Sequence, residues 1–389
     1  MKSAEEYFTL GCNLMDCNNF DKAIEYFQKA IEINPNDTKL YYNIGIAYRL
    51  LNNFRGAIRY FQKAIELAPQ HALTYYGMGD TYASMNELNT ALRYFQKSME
   101  LDPKHADTYY KLGLTYHLLG KMEIAIRYYK KTLQLDPKYA MAHRDLAMVY
   151  FTLQNYSDSI FSFHKAIELD PASATAQIYS AMGEVYRLTK RYANAIRYYQ
   201  KSIEMNPKSA LVHYHMGLSF FSLEKYDDAI QSYKKAVELD RKYFTAYLNI
   251  GFSYFALKKY KEAIPYYQKI IDADPNNAFA LYNMGLSYHS LLDFQQAIRY
   301  YERSVKIDSN YGIHYLMGTV YHKLKKYDKA MLAYQKALEE DPNDAKTYFS
   351  MGEVYLDLGN KEKEMECFKK AAQLGDKVAR KILAKGFHK

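Results

Sequence analysis

The stretch IRYFQKAIELAP runs from Ile58 to Pro69, and three close variants of it follow along the chain. The variants read LRYFQKSMELDP, IRYYKKTLQLDP and IRYYQKSIEMNP, and they begin at Leu92, Ile126 and Ile196. Repetition at a fixed spacing is typical of a chain that stacks many copies of one structural unit. A catalytic centre, in contrast, needs unlike residues brought together once.

A glycine marks the same position in almost every repeat, and slot numbers below count from this marker. Successive markers are 34 residues apart, except for an interval of 36 before the sixth marker and 33 before the tenth. The eleven marker positions are Gly11, Gly45, Gly79, Gly113, Ala147, Gly183, Gly217, Gly251, Gly285, Gly318 and Gly352. The sequence therefore contains eleven repeats.

Each repeat reads as two helices. The first helix has an apolar residue at slot −1 and an aromatic residue at slot +3, which share one helical face. The second has a small residue at slot +12 and an aromatic residue at slot +16, so we expect close helix packing filled by aromatic rings. In most repeats a proline then ends the second helix: Pro35, Pro69, Pro103, Pro137, Pro171, Pro207, Pro275 and Pro342.

This order of glycine, alanine, aromatic and proline slots in a 34-residue helix pair resembles the tetratricopeptide repeat (TPR) family. Pentatricopeptide repeats are a poorer match, because their period is 35 residues and they lack this slot order. The resemblance implies an all-α fold, an α-α superhelical solenoid of antiparallel helix pairs. We expect one solenoid over residues 4–374, with phase breaks near 172–175 and 309–312, and a C-terminal capping helix over 375–389.

Three local features add expectations. Ser3 and Glu6 have the spacing of a capping box at the start of the first helix. Pro265 lies inside a second helix, where it either kinks the helix or is a tolerated local distortion. In the last segment, Val378, Ile382 and Leu383 are expected to face inward.

The lysine or arginine at slot +18 of each repeat is usually followed three residues later by an acid. A continuous basic stripe would suggest nucleic-acid binding, but the interleaved acids favour a solvated face with weak i,i+3 pairs. Over the slots expected to line the inner face we count seven basic and eight acidic residues. The net charge of +9 therefore lies elsewhere, and we expect no nucleic-acid partner.

Composition also bears on the compartment. The chain has three cysteines, Cys12, Cys17 and Cys367. This small and odd number argues against a disulfide framework. The N-terminus has no apolar segment typical of a secretory signal, and no apolar run is long enough to span a bilayer. We expect a cytoplasmic protein without membrane insertion.

The sequence offers no convincing catalytic or metal site. Gly77 and Gly79 begin like a dinucleotide loop, but the final glycine and the preceding strand are absent. His213 and His215 point to different sides of a helix, and Cys12 and Cys17 lack a second pair of zinc ligands. The repeats leave no segment for a catalytic domain. We therefore predict no enzyme activity, no cofactor and no metal.

TPR proteins use their first helices to line a concave groove that holds a peptide or helix of a partner. By this resemblance, slots −6, −3, −2, +1, +4 and +5 line the groove, and repeats 7–9 are the most aromatic there. The candidate groove residues, called the aromatic strip below, are Leu211, Tyr214, His215, Leu218, Phe221, Leu248, Asn249, Phe252, Phe255, Phe279, Tyr282, Asn283, Leu286 and His289. The alternative is that several of them are core between repeats.

Two functions remain open at the level of sequence. The first is a non-enzymatic scaffold for protein–protein interaction that binds a peptide or helix of another protein in the groove. The second is a structural subunit of a larger complex or homo-oligomer that uses its convex face or its ends. Chaperone-tail binding is disfavoured, because no repeat has the lysine at slot −3 and asparagine at slot +1 of that TPR subfamily. The oligomeric state and the partner's identity are not predicted.

Overall fold

The computed structural model describes residues 2–308 and 312–384, which form 23 α-helices, one short 3₁₀ turn and no strand. Within each of the two bodies described below, consecutive α-helices pack against each other in pairs. The prediction of an all-α solenoid of antiparallel helix pairs is confirmed. The chain divides between Thr189 and Lys190 into two compact bodies, so that the two helices of the sixth repeat belong to different bodies.

The first body contains eleven α-helices within the described residues: Ala4–Asp16 (α1), Phe20–Ile33 (α2), Thr38–Leu50 (α3), Phe54–Leu67 (α4), Ala72–Ser84 (α5), Leu88–Leu101 (α6), Ala106–Leu118 (α7), Met122–Leu135 (α8), Ala140–Thr152 (α9), Tyr156–Leu169 (α10) and Ala176–Leu188 (α11). The second body contains twelve in its described part: Tyr192–Met205 (α12), Ala210–Ser222 (α13), Tyr226–Leu239 (α14), Phe244–Ala256 (α15), Tyr260–Ala273 (α16), Ala278–Ser290 (α17), Phe294–Val305 (α18), Ile313–Lys323 (α19), Tyr327–Glu340 (α20), Ala345–Asp357 (α21), Lys361–Gln373 (α22) and Lys377–Ala384 (α23).

The marker glycine exists because an aromatic ring of the second helix lies directly on it. A Cβ atom added at Gly217 would lie 2.6 Å from ring carbons of Tyr233, and one at Gly45 would lie 2.6 Å from Phe61. Within each body, these rings fill the space between the two helices of a pair. All eleven slot +16 residues are at most 2% exposed: Phe27, Phe61, Phe95, Tyr129, Phe163, Tyr199, Tyr233, Tyr267, Tyr301, Tyr334 and Phe368.

The fifth repeat departs from this arrangement without losing its core. Ala147 takes the glycine slot and Ser159 the small-residue slot, and both are buried. The Ser159 hydroxyl donates a hydrogen bond of 2.9 Å to the Ala147 carbonyl oxygen, which satisfies the buried hydroxyl. In the opening stretch, Phe61 and Ala64 are buried as expected, but Tyr60 is only half-buried and stacks on Tyr48 instead.

Every first helix ends with a residue in the left-handed conformation at slot +7. In repeat 2, the amide of Asn53 donates to the Tyr48 carbonyl at 2.8 Å, the six-to-one bond of a Schellman motif. Glycine fills the slot in only two repeats, so the sequence pattern gives little sign of the motif. The residues with positive φ at this slot are Asn18, Asn52, Asn86, Gly120, Gln154, Lys190, Glu224, Lys258, Leu292, Lys325 and Gly359.

Most second helices end where the next residue becomes extended, α18 and α22 being the exceptions. Asn34, which precedes Pro35, has φ −129°, in keeping with the restriction that proline places on the residue before it. Asp240 has φ −134° although Arg241 takes the proline slot, so the proline is not required for the helix to end. Pro265 lies inside α16, which continues through it to Ala273.

The linkers with unusual length are only partly described. The two-residue insertion forms a 3₁₀ turn at Pro171–Ser173, and Thr175 then caps α11. The shorter linker before the tenth repeat falls on residues 309–311, which lie outside the described residues, as does the end of the capping segment, 385–389. The single solenoid over 4–374, its phase breaks and the cap over 375–389 remain proposals.

The two ends of the array agree with the sequence except at one residue. Ser3 and Glu6 form the expected capping box, with bonds of 2.7 and 3.2 Å. In α23, Ile382 and Leu383 pack on the core of the last repeat as expected. The inward placement of Val378 is wrong, because its side chain is 53% exposed and the fully buried Ala379 takes the inward position.

Candidate partner-binding surface

The aromatic strip lies on three first helices of the second body, α13, α15 and α17, which belong to repeats 7–9. Most of its side chains are half-buried. Leu211 is 51% exposed, whereas Asn283 is only 6% exposed. The strip is therefore neither a free surface throughout nor a closed core.

Two contacts join the strip across neighbouring repeats. The Asn249 side-chain amide donates a hydrogen bond of 3.1 Å to the Tyr214 hydroxyl, which links α15 to α13. The rings of Phe252 and Phe279 meet edge to face with centroids 5.7 Å apart, which links α15 to α17. The structure thus brings strip residues from all three helices into one connected set.

Part of the strip supports the core beneath it. Tyr214, Leu218, Phe221, Leu248 and Phe252 pack against the buried cluster of repeats 7 and 8. In the next repeat, two further strip residues pack on the following cluster, namely Tyr282 and Leu286. These seven side chains combine a structural role with partial exposure.

The Asn283 side chain is buried and bonds to its own helix, so it is not presented to a bound protein segment. Its amide donates a 2.7 Å hydrogen bond to the Phe279 carbonyl oxygen of its own helix. A buried side-chain amide with this local partner would lose that bond if it turned outward. Asn249, in contrast, is half-buried, and its amide reaches the tyrosine of the neighbouring repeat.

The aromatic residue at slot +4 leans on the start of the second helix. Phe255 meets Tyr260 edge to face at 4.9 Å, and Phe221 meets Tyr226 in the same way at 5.2 Å. Phe255 does not belong to the set that packs on the central cluster. Its ring is therefore the strip aromatic whose removal should disturb the core least.

Burial favours the neutral form of two titratable residues of the strip. Desolvation lowers the pKa of His289, whose Nδ1 atom lies 3.4 Å from the Tyr301 hydroxyl. Desolvation also raises the pKa of Tyr282. Neutral imidazole, phenol and amide groups among apolar side chains can each donate or accept hydrogen bonds without a counter-ion.

The corresponding face of the first body has a different chemistry. Asp80 accepts from Arg49 at 3.0 Å and from Lys111 at 2.5 Å, so three repeats are linked by one charged cluster. Asp145 accepts from the Tyr110 hydroxyl at 2.8 Å and also pairs with its neighbour Arg144. These half-buried charges are compensated by each other, which agrees with the near-neutral count from the sequence.

Among residues 2–308 and 312–384, no three histidine, cysteine or acidic side chains lie close enough to hold a metal ion. No helix in that part of the chain has both the length and the apolar character needed to cross a bilayer. The three cysteines are free thiols.

Family models match the chain along most of its length. A model described as tetratricopeptide repeat matches residues 70–138, 138–208 and 242–310, more than half of the chain. Further tetratricopeptide repeat models match residues 4–37, 38–71 and 345–374, and a TPR repeat model matches 217–258 and 318–359. The chain belongs to the tetratricopeptide repeat family, whose scaffold fold is typical of protein–protein interaction and generally non-enzymatic.

Solved structures similar to the chain include the MamA protein, with 29% identity over 44% of this chain and 92% of that one, at a TM-score of 0.41. Yeast Tom70 has 16% identity over 99% and 94%, at 0.37. The Cut9–Hcn1 hetero-tetramer of the APC/C has 16% identity over 99% and 96%, at 0.43. No curated protein matches the chain. The similarity to these structures says nothing about which surface of this chain is used.

Proposed function

We propose that this chain is a non-enzymatic scaffold that binds a peptide segment or helix of another protein on the aromatic strip of repeats 7–9. The observation that carries the proposal is the set of half-buried, uncharged aromatic and aliphatic side chains on three consecutive first helices. Aromatic side chains contribute most of the binding energy when a partner removes them from water. A contiguous apolar surface of this kind is unusual on a protein that has no partner for it.

The polar members of the strip favour a peptide or helix over a small molecule. The Tyr214 hydroxyl, which accepts from Asn249, still has a proton to donate, and His215 adds a half-buried ring 5.8 Å away. Extended or helical segments present both apolar side chains and backbone or side-chain polar groups at regular intervals. The strip residues recur once per repeat on neighbouring first helices, and this regular spacing suits such a segment.

The test begins with a peptide library of random sequence displayed on phage and selected on the intact chain. The affinity of a selected peptide is then measured for the wild type and for Leu211→Ser combined with Phe255→Ser. We expect the affinity to fall at least tenfold, about 1.4 kcal/mol, because both side chains are accessible and apolar. Phe161→Ser is the matched control, since Phe161 is 60% exposed on the second helix α10.

Melting curves separate binding from folding. Phe252→Ser should lower the melting temperature as well as the affinity, because Phe252 packs on the central cluster. The Leu211 and Phe255 substitutions should leave melting nearly unchanged. Unchanged peptide affinity in that double variant would contradict the proposal. It would favour the alternative function, a structural subunit of a larger complex or homo-oligomer. Sedimentation of the intact chain would detect a homo-oligomer as a self-associated species.

A further inference from the structure

A second kind of surface lies between the second helices α14 and α16 and the first helix α15. It is an open cavity of about 770 Å³, within the size range of ligand sites in proteins. Three tyrosine rings and three cations provide most of its lining, and we call it the lysine–tyrosine pocket: Tyr247, Tyr254, Tyr266, Lys234, Arg241 and Lys269.

An unusual residue lines the pocket in repeat 8. Pro265 takes slot +14 and lines the cavity. Five other repeats carry an exposed arginine at this slot: Arg59, Arg93, Arg127, Arg197 and Arg299. The proline therefore replaces a large side chain with a small ring at the pocket wall.

The Lys269 ammonium makes no ion pair with the acid that follows it by three residues. In four repeats the slot +18 lysine pairs with the acid three residues later, at 2.8 to 3.1 Å: Lys63–Glu66, Lys97–Glu100, Lys165–Glu168 and Lys235–Glu238. In repeat 8 the corresponding acid, Asp272, instead accepts a 2.7 Å hydrogen bond from Gln268. The Lys269 ammonium lies 5.2 Å from the centre of the Tyr247 ring, facing the pocket.

The other two cations also lack a carboxylate partner within the part of the chain that the structure describes. Lys234 donates a 2.9 Å hydrogen bond to the Tyr254 hydroxyl, and this bond raises the pKa of Lys234. Arg241 is exposed in the proline slot. The pocket has two acids, but Glu238 is held by Lys235, so Glu262 alone faces the three cations. The lining has an excess of positive charge.

A related cavity lies at the equivalent place in repeat 11. It measures about 630 Å³, and its lining contains two tyrosines, three lysines and one acid: Tyr348, Tyr355, Lys363, Lys369, Lys370 and Glu366. The ammonium groups of Lys363 and Lys370 lie 5.5 and 6.0 Å from the tyrosine ring centres. Gln373 stands where other repeats have the pairing acid, so Lys370 has no helical counter-ion.

We propose that both pockets bind carboxylate side chains of an acidic segment of a partner protein. The lysine and arginine groups supply positive charge without a bound counter-ion, and the tyrosine hydroxyls can donate to carboxylate oxygens. Single-stranded nucleic acid is a poorer fit because base stacking needs a free ring face. Here Tyr254 and Tyr266 stack on each other, 5.7 Å apart, and Lys234 covers both.

This proposal does not depend on the aromatic strip. Tyr247 and Tyr254 are seven residues apart and share a face of α15, while Phe252 and Phe255 lie on a different face of the same helix. A partner could therefore occupy either surface alone or both together. Failure of one proposal leaves the other untouched.

Calorimetric titration of the intact chain at low salt tests whether the two pockets bind carboxylates. The probe is a capped octapeptide of Glu and Asp. We expect two bound peptides per chain. Arg241→Gln combined with Lys269→Gln should reduce this to one, and adding Lys363→Gln and Lys370→Gln should abolish binding. The control is Lys97→Gln combined with Lys165→Gln, which removes two lysines from the same slot +18 and should keep both sites.

Several results would overturn the proposal: no binding, equal binding of the Gln and Asn version of the peptide, or equal loss in the control. Displacement of the peptide from the wild type by a thymidine oligonucleotide of higher affinity would assign the pockets to nucleic acid instead. Arg241→Gln alone, in an exposed linker, provides a second variant should the double one melt early. It should weaken the first site at least threefold.

Discussion

At the scale of single residues, packing and helix propensity predict opposite effects of a substitution at Gly217, which contacts Tyr233. Alanine normally stabilises a helix by about 1 kcal/mol relative to glycine. A Cβ atom at Gly217 would nevertheless lie 2.6 Å from the Tyr233 ring, which is fully buried. We therefore expect Gly217→Ala to lower the free energy of unfolding by about 1–3 kcal/mol.

Urea denaturation followed by circular dichroism would measure this change. Ser222→Ala, at an exposed position on the same helix, is the control and should change little. Gly217→Leu should be worse and should make unfolding less cooperative around repeat 7. An increase in stability for Gly217→Ala would mean that the ring is not seated on the glycine.

Tyr267 tests whether the slot +16 aromatic needs its hydroxyl. Burial raises the pKa of Tyr267, and no hydrogen-bond partner for its hydroxyl lies among the described residues. Phenylalanine fills the same slot in five repeats. Because an unpaired buried hydroxyl costs about 1–3 kcal/mol, Tyr267→Phe should stabilise the chain by about 1 kcal/mol in a denaturant titration.

Tyr301→Phe is the matched comparison, because the Tyr301 hydroxyl lies 3.4 Å from His289 Nδ1. That substitution should bring no gain. If Tyr267→Phe proved destabilising, the hydroxyl would have a partner in solution, and the slot would not be purely apolar.

Leu292 is an apolar residue in the left-handed position at slot +7. Its φ is 60°, and its side chain is 72% exposed, so little packing offsets the backbone strain. We expect Leu292→Gly to raise the melting temperature, with a gain of about 0.5–1 kcal/mol. Leu292→Ala keeps the Cβ atom and should give no such gain. Equal effects of the two substitutions would show that loss of the exposed leucine is responsible.

At the scale of elements, Pro265 is the clearest conflict between local preference and the observed helix. A proline removes a backbone donor from the helix interior and crowds the preceding turn, yet α16 runs from Tyr260 to Ala273. We expect Pro265→Ala to stabilise the second body by about 1–3 kcal/mol, measured by denaturant unfolding. Arg299→Ala, at the same slot of α18, should change stability by less than about 0.5 kcal/mol. A loss for Pro265→Ala would mean that the proline ring packs better than alanine.

The sequence predicts the helix pairs well because the same core residue types recur in each repeat. With eleven repeats, the pattern remains clear despite local exceptions such as Ala147. The left-handed residue at slot +7 escapes prediction, since Leu292 or Lys258 gives no sign of it. Val378 was placed wrongly because a short amphipathic segment allows two adjacent faces, and only packing on Phe368 and its neighbours selects Ala379.

The candidate surfaces were predictable to different degrees. Slot positions place the aromatic strip on consecutive first helices, but they do not show how deeply each ring is buried. Asn283 turns to its own backbone, a choice the sequence leaves open. In the lysine–tyrosine pocket, Asp272 accepts a hydrogen bond from Gln268 and does not pair with Lys269. The repeat pattern does not predict which of these side chains pair with each other.

At the scale of the whole molecule, we propose that the chain is a TPR scaffold that binds a partner segment on the first helices of repeats 7–9. Hydrogen exchange of the intact chain, measured with and without a peptide selected from the library, tests where that segment binds. We expect bound peptide to slow exchange in α13, α15 and α17 more than in the second helices between them. Protection confined to α14 and α16, or to the first helices of the first body, would contradict it.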